Sequence, residues 1–356
     1  MRLRRSAGRL GLAAAGLALG VAALELALRL IGPVGSAPGL RSLHEPRLDR
    51  PWLYGLRPGA TSRHSRALPV EYAVNSDGFR DAPRAQRKPA GALRILVLGD
   101  SVAFGFGVAQ EESFPAQLEA RLARGGRAEV LNFGVGGYNP YTEAALLADR
   151  GLSFEPDLVL VQFSINDLND PTLHFDAHTR LRLGEVPDAA FPDPQRRLPP
   201  PPRPAPELCR RLLACALFDD ARLAWLQRGS GREEATFAPH PSLPPGPERR
   251  WLAGLYAEMA HVSGSIGARF AVLAFPHRPQ IAGAFSDQVQ QDLIQIGVEG
   301  GWPTLNLVPA FRAAAAASPE PLFLDLWHPN AAGHRVAAEA ILRELVARGL
   351  LPGPGP

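Results

Sequence analysis

The run Ile95-Leu96-Val97-Leu98 is apolar at consecutive positions, so a strand built from it carries hydrophobic side chains on both faces. Both faces must then be covered, as they are in a parallel sheet flanked by helices. Leu158-Val159-Leu160-Val161 repeats the pattern. These runs place strands over 94–98 and 157–163, with further strand signals at 129–133, 269–275 and 304–308. Helical spacing falls between and after them, at 113–123, 141–150 and 331–348. Strands alternating with helices predict an α/β fold of three layers, α/β/α, around about five parallel strands.

Residues 91–350 hold this pattern and are expected to form the folded body. An insertion over 171–249 interrupts it. Proline dominates 187–206, which rules out a helix or a central strand there and leaves an extended surface loop. Residues 207–227 carry an amphipathic helical pattern, and 228–249 return to loop composition. The insertion is read either as a lid or substrate wall, or as an inert surface excursion. Residues 33–90 form a Pro- and Arg-rich approach segment. Within it, Tyr72-Ala73-Val74 reads as a strand entering an Asn75-Ser76-Asp77-Gly78 turn, which is either a purely structural turn or one through which Phe79 pins the segment to the body.

The first 32 residues read as a signal anchor or transmembrane helix. Arg2, Arg4, Arg5 and Arg9 precede an Ala/Leu/Gly run over 10–24, and the apolar pattern continues to Ile31. Basic residues ahead of the run place the body outside the cytoplasm, at the periplasmic face of a membrane. A cleaved signal peptide, which would leave a secreted protein, is the alternative. The formal charge of +3 is small for 356 residues, so no nucleic-acid partner is expected. Cys209 and Cys215 suit neither a disulfide framework nor a zinc site. His174 and His178 lack the glutamate of a zincin motif, and Asp167, Asn169 and Asp170 lack the spacing and glycine of a calcium loop. No metal or other cofactor is expected.

The chemistry-bearing residues follow the strands. Gly99-Asp100-Ser101 comes directly after the first strand, where ligands bind on open parallel sheets. Asp325-Leu326-Trp327-His328 precedes the last helix. A serine with a distant Asp-x-x-His is the set that nucleophilic acyl chemistry needs. Ser101 is the candidate nucleophile, His328 its base and Asp325 the group that orients the imidazole. Gly136-Gly137 follows the second strand and Asn166 the third; Gly137 and Asn166 are candidate oxyanion donors. His334 reads as a structural histidine. Phe104-Gly105-Phe106-Gly107 lacks the third glycine of a dinucleotide loop, and no Gly-x-Ser-x-Gly elbow is present.

These blocks resemble those of the GDSL/SGNH hydrolases: Gly99-Asp100-Ser101, Gly137, Asn166 within Ser-Ile-Asn-Asp, and Asp325-x-x-His328. The anchor and the Asn-Ser-Asp-Gly-Phe-Arg segment are similar to those of membrane-anchored bacterial members. The resemblance implies a flavodoxin-like fold, with Ser101 as nucleophile and backbone oxyanion donor, joined by Gly137 and Asn166. Val102 replaces the usual leucine, an apolar exchange. Ser164 replaces a glycine of the third block, which sets a side chain beside the acyl site and puts the placement of Asn166 at issue.

Three functions fit this reading. The first is an extracytoplasmic serine esterase acting on acyl or acetyl esters of a lipid or carbohydrate. The second is an O-acyltransferase that passes the same acyl group to an envelope glycan. The third is a non-catalytic glycan-binding protein that keeps the fold.

Overall fold

The computed structural model describes residues 16, 19–27, 43–63, 70–168 and 242–351, apart from 48, 53 and 244. The centre of the molecule is a five-stranded parallel sheet. Its strands are β5 (Leu93–Gly99), β6 (Ala128–Gly134), β7 (Leu158–Phe163), β8 (Arg269–Ala274) and β9 (Thr304–Asn306), in the spatial order β6-β5-β7-β8-β9. All four pairings are parallel. This is the doubly wound flavodoxin order, whose switch point lies between the first strand, β5, and the third, β7.

The consecutive apolar runs are used as their pattern demands. Leu96, Leu98, Val159 and Val161 enter one core, while Ile95, Val97, Leu158 and Leu160 enter the other. Among the described residues from 101 on, the helices in chain order are α1 (Ser101–Phe104), α2 (Phe114–Leu122), α3 (Pro140–Asp149), α4 (Pro247–Ser265), α5 (Arg278–Ile281), α6 (Gln288–Gly300), α7 (Val308–Ala317) and α8 (Ala331–Ala347). Helices α3, α4 and α6 cover the first face through Leu147, Leu252 and Leu293. Helices α2, α7 and α8 cover the second through Phe114, Phe311 and Ile341. The fifth strand is shorter than its sequence pattern: it stops at Asn306, whose side chain accepts the Val308 N–H as α7 begins with proline at its second position.

The approach segment is part of the body. Two small antiparallel pairs, β1 (His44–Pro46) with β2 (Tyr54–Leu56) and β3 (Thr61–Arg63) with β4 (Glu71–Ala73), lead into the Asn75 turn. Asn75 Oδ1 accepts the N–H groups of Asp77 and Phe79, and its amide donates to Ala82 O. The turn delivers the buried Phe79 ring onto Phe133 of β6, with centroids 3.7 Å apart. Phe79 thus pins the segment to the body.

The expected anchor falls largely outside the described residues. Its described part, 19–27, is helical, and no helix among the described residues is long and apolar enough to cross a membrane. The Pro-rich stretch, the 207–227 pattern, Cys209, Cys215, His174 and His178 all lie outside the described residues.

Phe79→Ala is expected to destabilise the protein by about 3–5 kcal/mol in urea unfolding, the cost of emptying a packed aromatic site. A loss below about 1 kcal/mol would contradict the integration of the approach segment into the core.

Candidate active site

Ser101 stands one residue beyond the turn that ends β5. Asp100 is the N-cap of α1: its carboxylate accepts the Val102 N–H at 2.8 Å. Ser101 is therefore the first residue of the helix, not its cap, and its N–H has no intrahelical acceptor. A second group holds this turn from below. Gln162 is the lone polar residue of β7, and its Oε1 accepts the N–H groups of Asp100 at 3.2 Å and Ala103 at 3.1 Å. Its Nε2 donates to Ser164 Oγ at 2.6 Å. Ser164 is thus buried and joined to the Ser101 turn through Gln162.

The Asp-x-x-His residues sit in a tight loop between α7 and α8. Leu324 N–H donates to His328 O, Asn330 N–H donates to Leu322 O, and Asn330 caps α8 by accepting the Gly333 N–H. The loop turns the imidazole toward β5. His328 Nε2 lies 2.9 Å from Ser101 Oγ, and His328 Nδ1 lies 2.7 Å from Asp325 Oδ2. The other carboxylate oxygen, Oδ1, accepts the backbone N–H groups of Trp327 and His328, each at 2.8 Å. Partial burial alone would raise the Asp325 pKa. The His328 ring and the two N–H groups outweigh it and hold the value at about 2. Asp325 is therefore a carboxylate at neutral pH, and it fixes the ring nitrogen that carries the proton. The Phe106 ring lies against the imidazole with centroids 4.3 Å apart.

Gly137 and Asn166 occupy the loops after β6 and β7, the two strands that flank β5. Both loops open at the carboxyl edge of the sheet, on either side of the Ser101 turn. Asn166 lies in the short 3-10 helix Ile165–Leu168, and its side chain is outside the described residues. His334, read as structural, is fully buried, and its Nδ1 accepts the Phe114 N–H at 3.1 Å. Burial lowers its pKa to about 3, so it stays neutral. Among the described residues no His, Cys, Asp and Glu cluster suits a metal ion.

Three contributors escaped the sequence reading. Gln162 had a signal: it is a polar residue inside an otherwise apolar buried strand. Phe106 had none, because nothing in a Phe-Gly-Phe-Gly string indicates an imidazole overhead. The third is a buried acidic group formed by Glu143, Asp167 and the capping Asp100. Burial, then the charges of their neighbours, push the Glu143 and Asp167 pKa values well above the usual carboxylate range.

Comparison with known proteins gives this arrangement a family. Residues 97–336 match the GDSL-like lipase/acylhydrolase family, and the chain belongs to it. An acetylxylan esterase of Xylanibacter ruminicola is 31% identical over 111 residues, which span 29% of this chain and 22% of that protein's length. Among solved structures, a two-domain esterase (CEX) active on acetylated mannans is similar over 74% of this chain and 51% of its own, at 16% identity and a TM-score of 0.42. The acetyl xylan esterase AlAXEase is similar over 71% of this chain and 100% of its own, at 13% identity and a TM-score of 0.43.

Two outcomes follow from this geometry. Gln162→Leu strands two buried N–H groups and is expected to cost at least about 2 kcal/mol in denaturant unfolding. Asp325 has a folded pKa near 2, below its unfolded value of about 3.9. The stability it lends is present above the unfolded value and is lost as pH falls toward 2. Urea midpoints measured between pH 5 and pH 2 should fall less steeply in Asp325→Asn than in the wild type.

Proposed function

We propose that the protein is an extracytoplasmic serine esterase, held at a membrane by its N-terminal segment, that hydrolyses acyl or acetyl esters. The observation that carries the reading is the continuous hydrogen-bonded chain from Ser101 Oγ through the His328 imidazole to Asp325.

In this mechanism His328 Nε2 takes the Ser101 hydroxyl proton as Oγ bonds to the ester carbonyl carbon. Asp325, already ionised, stabilises the imidazolium that forms. The carbonyl oxygen becomes an oxyanion, and its donors are the Ser101 and Gly137 N–H groups and the Asn166 side-chain amide. Collapse breaks the bond to the alcohol, which leaves with the proton from His328. A water then gives its proton to His328 and attacks the acyl-Ser101 carbonyl. The acid departs, and the proton returns to Oγ.

The acetylxylan esterase relative supports an acetylated carbohydrate as the ester class. The membrane reading is supported by the basic residues ahead of the apolar N-terminal run and by the exposed side chains of Leu19, Val21, Leu24 and Leu26 on the 19–27 helix. Hydrolysis of p-nitrophenyl acetate by the full-length protein tests the chemistry. Ser101→Ala is expected to lower kcat/KM by about 10³-fold or more. Equal rates in the two proteins would refute it.

A further inference from the structure

The mechanism leaves unused the Asn-Ser-Asp-Gly-Phe-Arg segment, and Arg80 ends it. Its side chain is almost fully buried, which is costly for a guanidinium unless its donors are satisfied; Nε has no partner among the described residues, and the two terminal nitrogens carry the pairing. Nη1 donates to Phe104 O at 2.9 Å and to Gly105 O at 2.5 Å, and Nη2 donates to Val108 O at 2.6 Å. The guanidinium carbon lies 4.5 Å from the centre of the Tyr72 ring and 5.1 Å from that of Phe104. Tyr72 adds a further tie, its hydroxyl oxygen accepting the Gly107 N–H at 2.8 Å. Every one of these bonds ends on the loop 104–108.

The two glycines of that loop explain its composition. Both have left-handed backbones, with φ of +83° at Gly105 and +77° at Gly107. A Cβ at Gly105 would come within 2.8 Å of Arg80 Nη1, and one at Gly107 within 2.3 Å of Leu324 Cδ1. The loop is thus squeezed between the guanidinium and the residue preceding Asp325. Phe106, between the glycines, is the ring laid on His328. Burial lowers the Arg80 pKa to about 10, against the raising effect of Tyr72, Glu111 and Glu112, so the group remains a cation at neutral pH.

We propose that Arg80 is a positioning residue for the Ser101 reaction: it fixes the loop 104–108 so that Phe106 holds the His328 imidazole against the nucleophile. The claim rests on the esterase reading for its kinetic effect and on the loop geometry alone for its structural effect. Three charge-assisted bonds to fixed carbonyls need a planar fork, so a lysine replaces Arg80 poorly.

The test uses the full-length protein in two arms. In the kinetic arm, Arg80→Met and Phe106→Leu each lower kcat about 10–100-fold, as expected for a misplaced catalytic group, with KM within about threefold of wild type. Arg80→Lys falls between wild type and Arg80→Met. The double variant is no slower than the slower single, because both act through one ring contact. Additive losses, or a wild-type kcat in Arg80→Met, would overturn the proposal. In the structural arm, ¹³C-histidine labelling follows the His328 ring protons, which the facing Phe106 ring shifts upfield. Both variants should move them downfield alike; unchanged His328 resonances in Arg80→Met would also overturn it. This arm needs no turnover, so a wild type inert toward esters would defeat the esterase reading and leave the positioning claim to be decided by the spectra. If Arg80→Met does not fold, Tyr72→Phe replaces it, removing only the acceptor for Gly107, with smaller changes in the same directions expected in both arms.

Discussion

One imidazole, bonded through both ring nitrogens, ties the Asp325–His328 loop to a serine 227 positions before the histidine. For that contact to exist, β5 must deliver Ser101 to the carboxyl edge of the sheet, and the loop before α8 must fold back over the same edge. The parallel sheet satisfies the first requirement, since every strand points its carboxyl end the same way. The closely bonded 322–330 loop satisfies the second. The strand order then sets Gly137 and Asn166 on either side without further adjustment, because β6 and β7 are the two neighbours of β5.

The surroundings of the site are polar groups placed inside an apolar frame. Gln162 ties the Ser101 turn to β7, and Asp100 caps the helix that Ser101 begins. Glu143 and Asp167 lie in the same interior, both pushed by burial toward their neutral forms. Arg80 occupies the opposite role: a buried cation kept charged by carbonyl oxygens and aromatic faces. The approach segment that carries it packs onto the body, with Phe79 against Phe133 as its hydrophobic anchor and Arg80 on the carbonyls of the loop 104–108 as its polar one.

Much of this was legible in the chain. Continuous apolar runs revealed β5 and β7 because a strand buried on both faces leaves no room for alternation. The Ser101 and His328 blocks were legible because each follows or precedes a regular element at the position where a ligand can reach it. The fifth strand was overread, since Leu307 and Val308 continue the apolar pattern while the backbone has already turned into α7. Phe106 and Arg80 were not legible as partners of the site, because their meaning depends on tertiary contacts with His328 and with carbonyl groups, and backbone carbonyls leave no trace in residue identity. The glycines of Phe-Gly-Phe-Gly were visible, but their cause was a guanidinium and a leucine remote in sequence.

The most direct measurement is acid-quenched mass spectrometry of the full-length protein during turnover of an activated acetyl ester. The account predicts a single acetyl group on the peptide containing Ser101, formed in the wild type and lost from His328→Ala. A turning-over protein whose acetyl group sits on another residue, or whose Ser101 is acetylated equally fast without the imidazole, would contradict it.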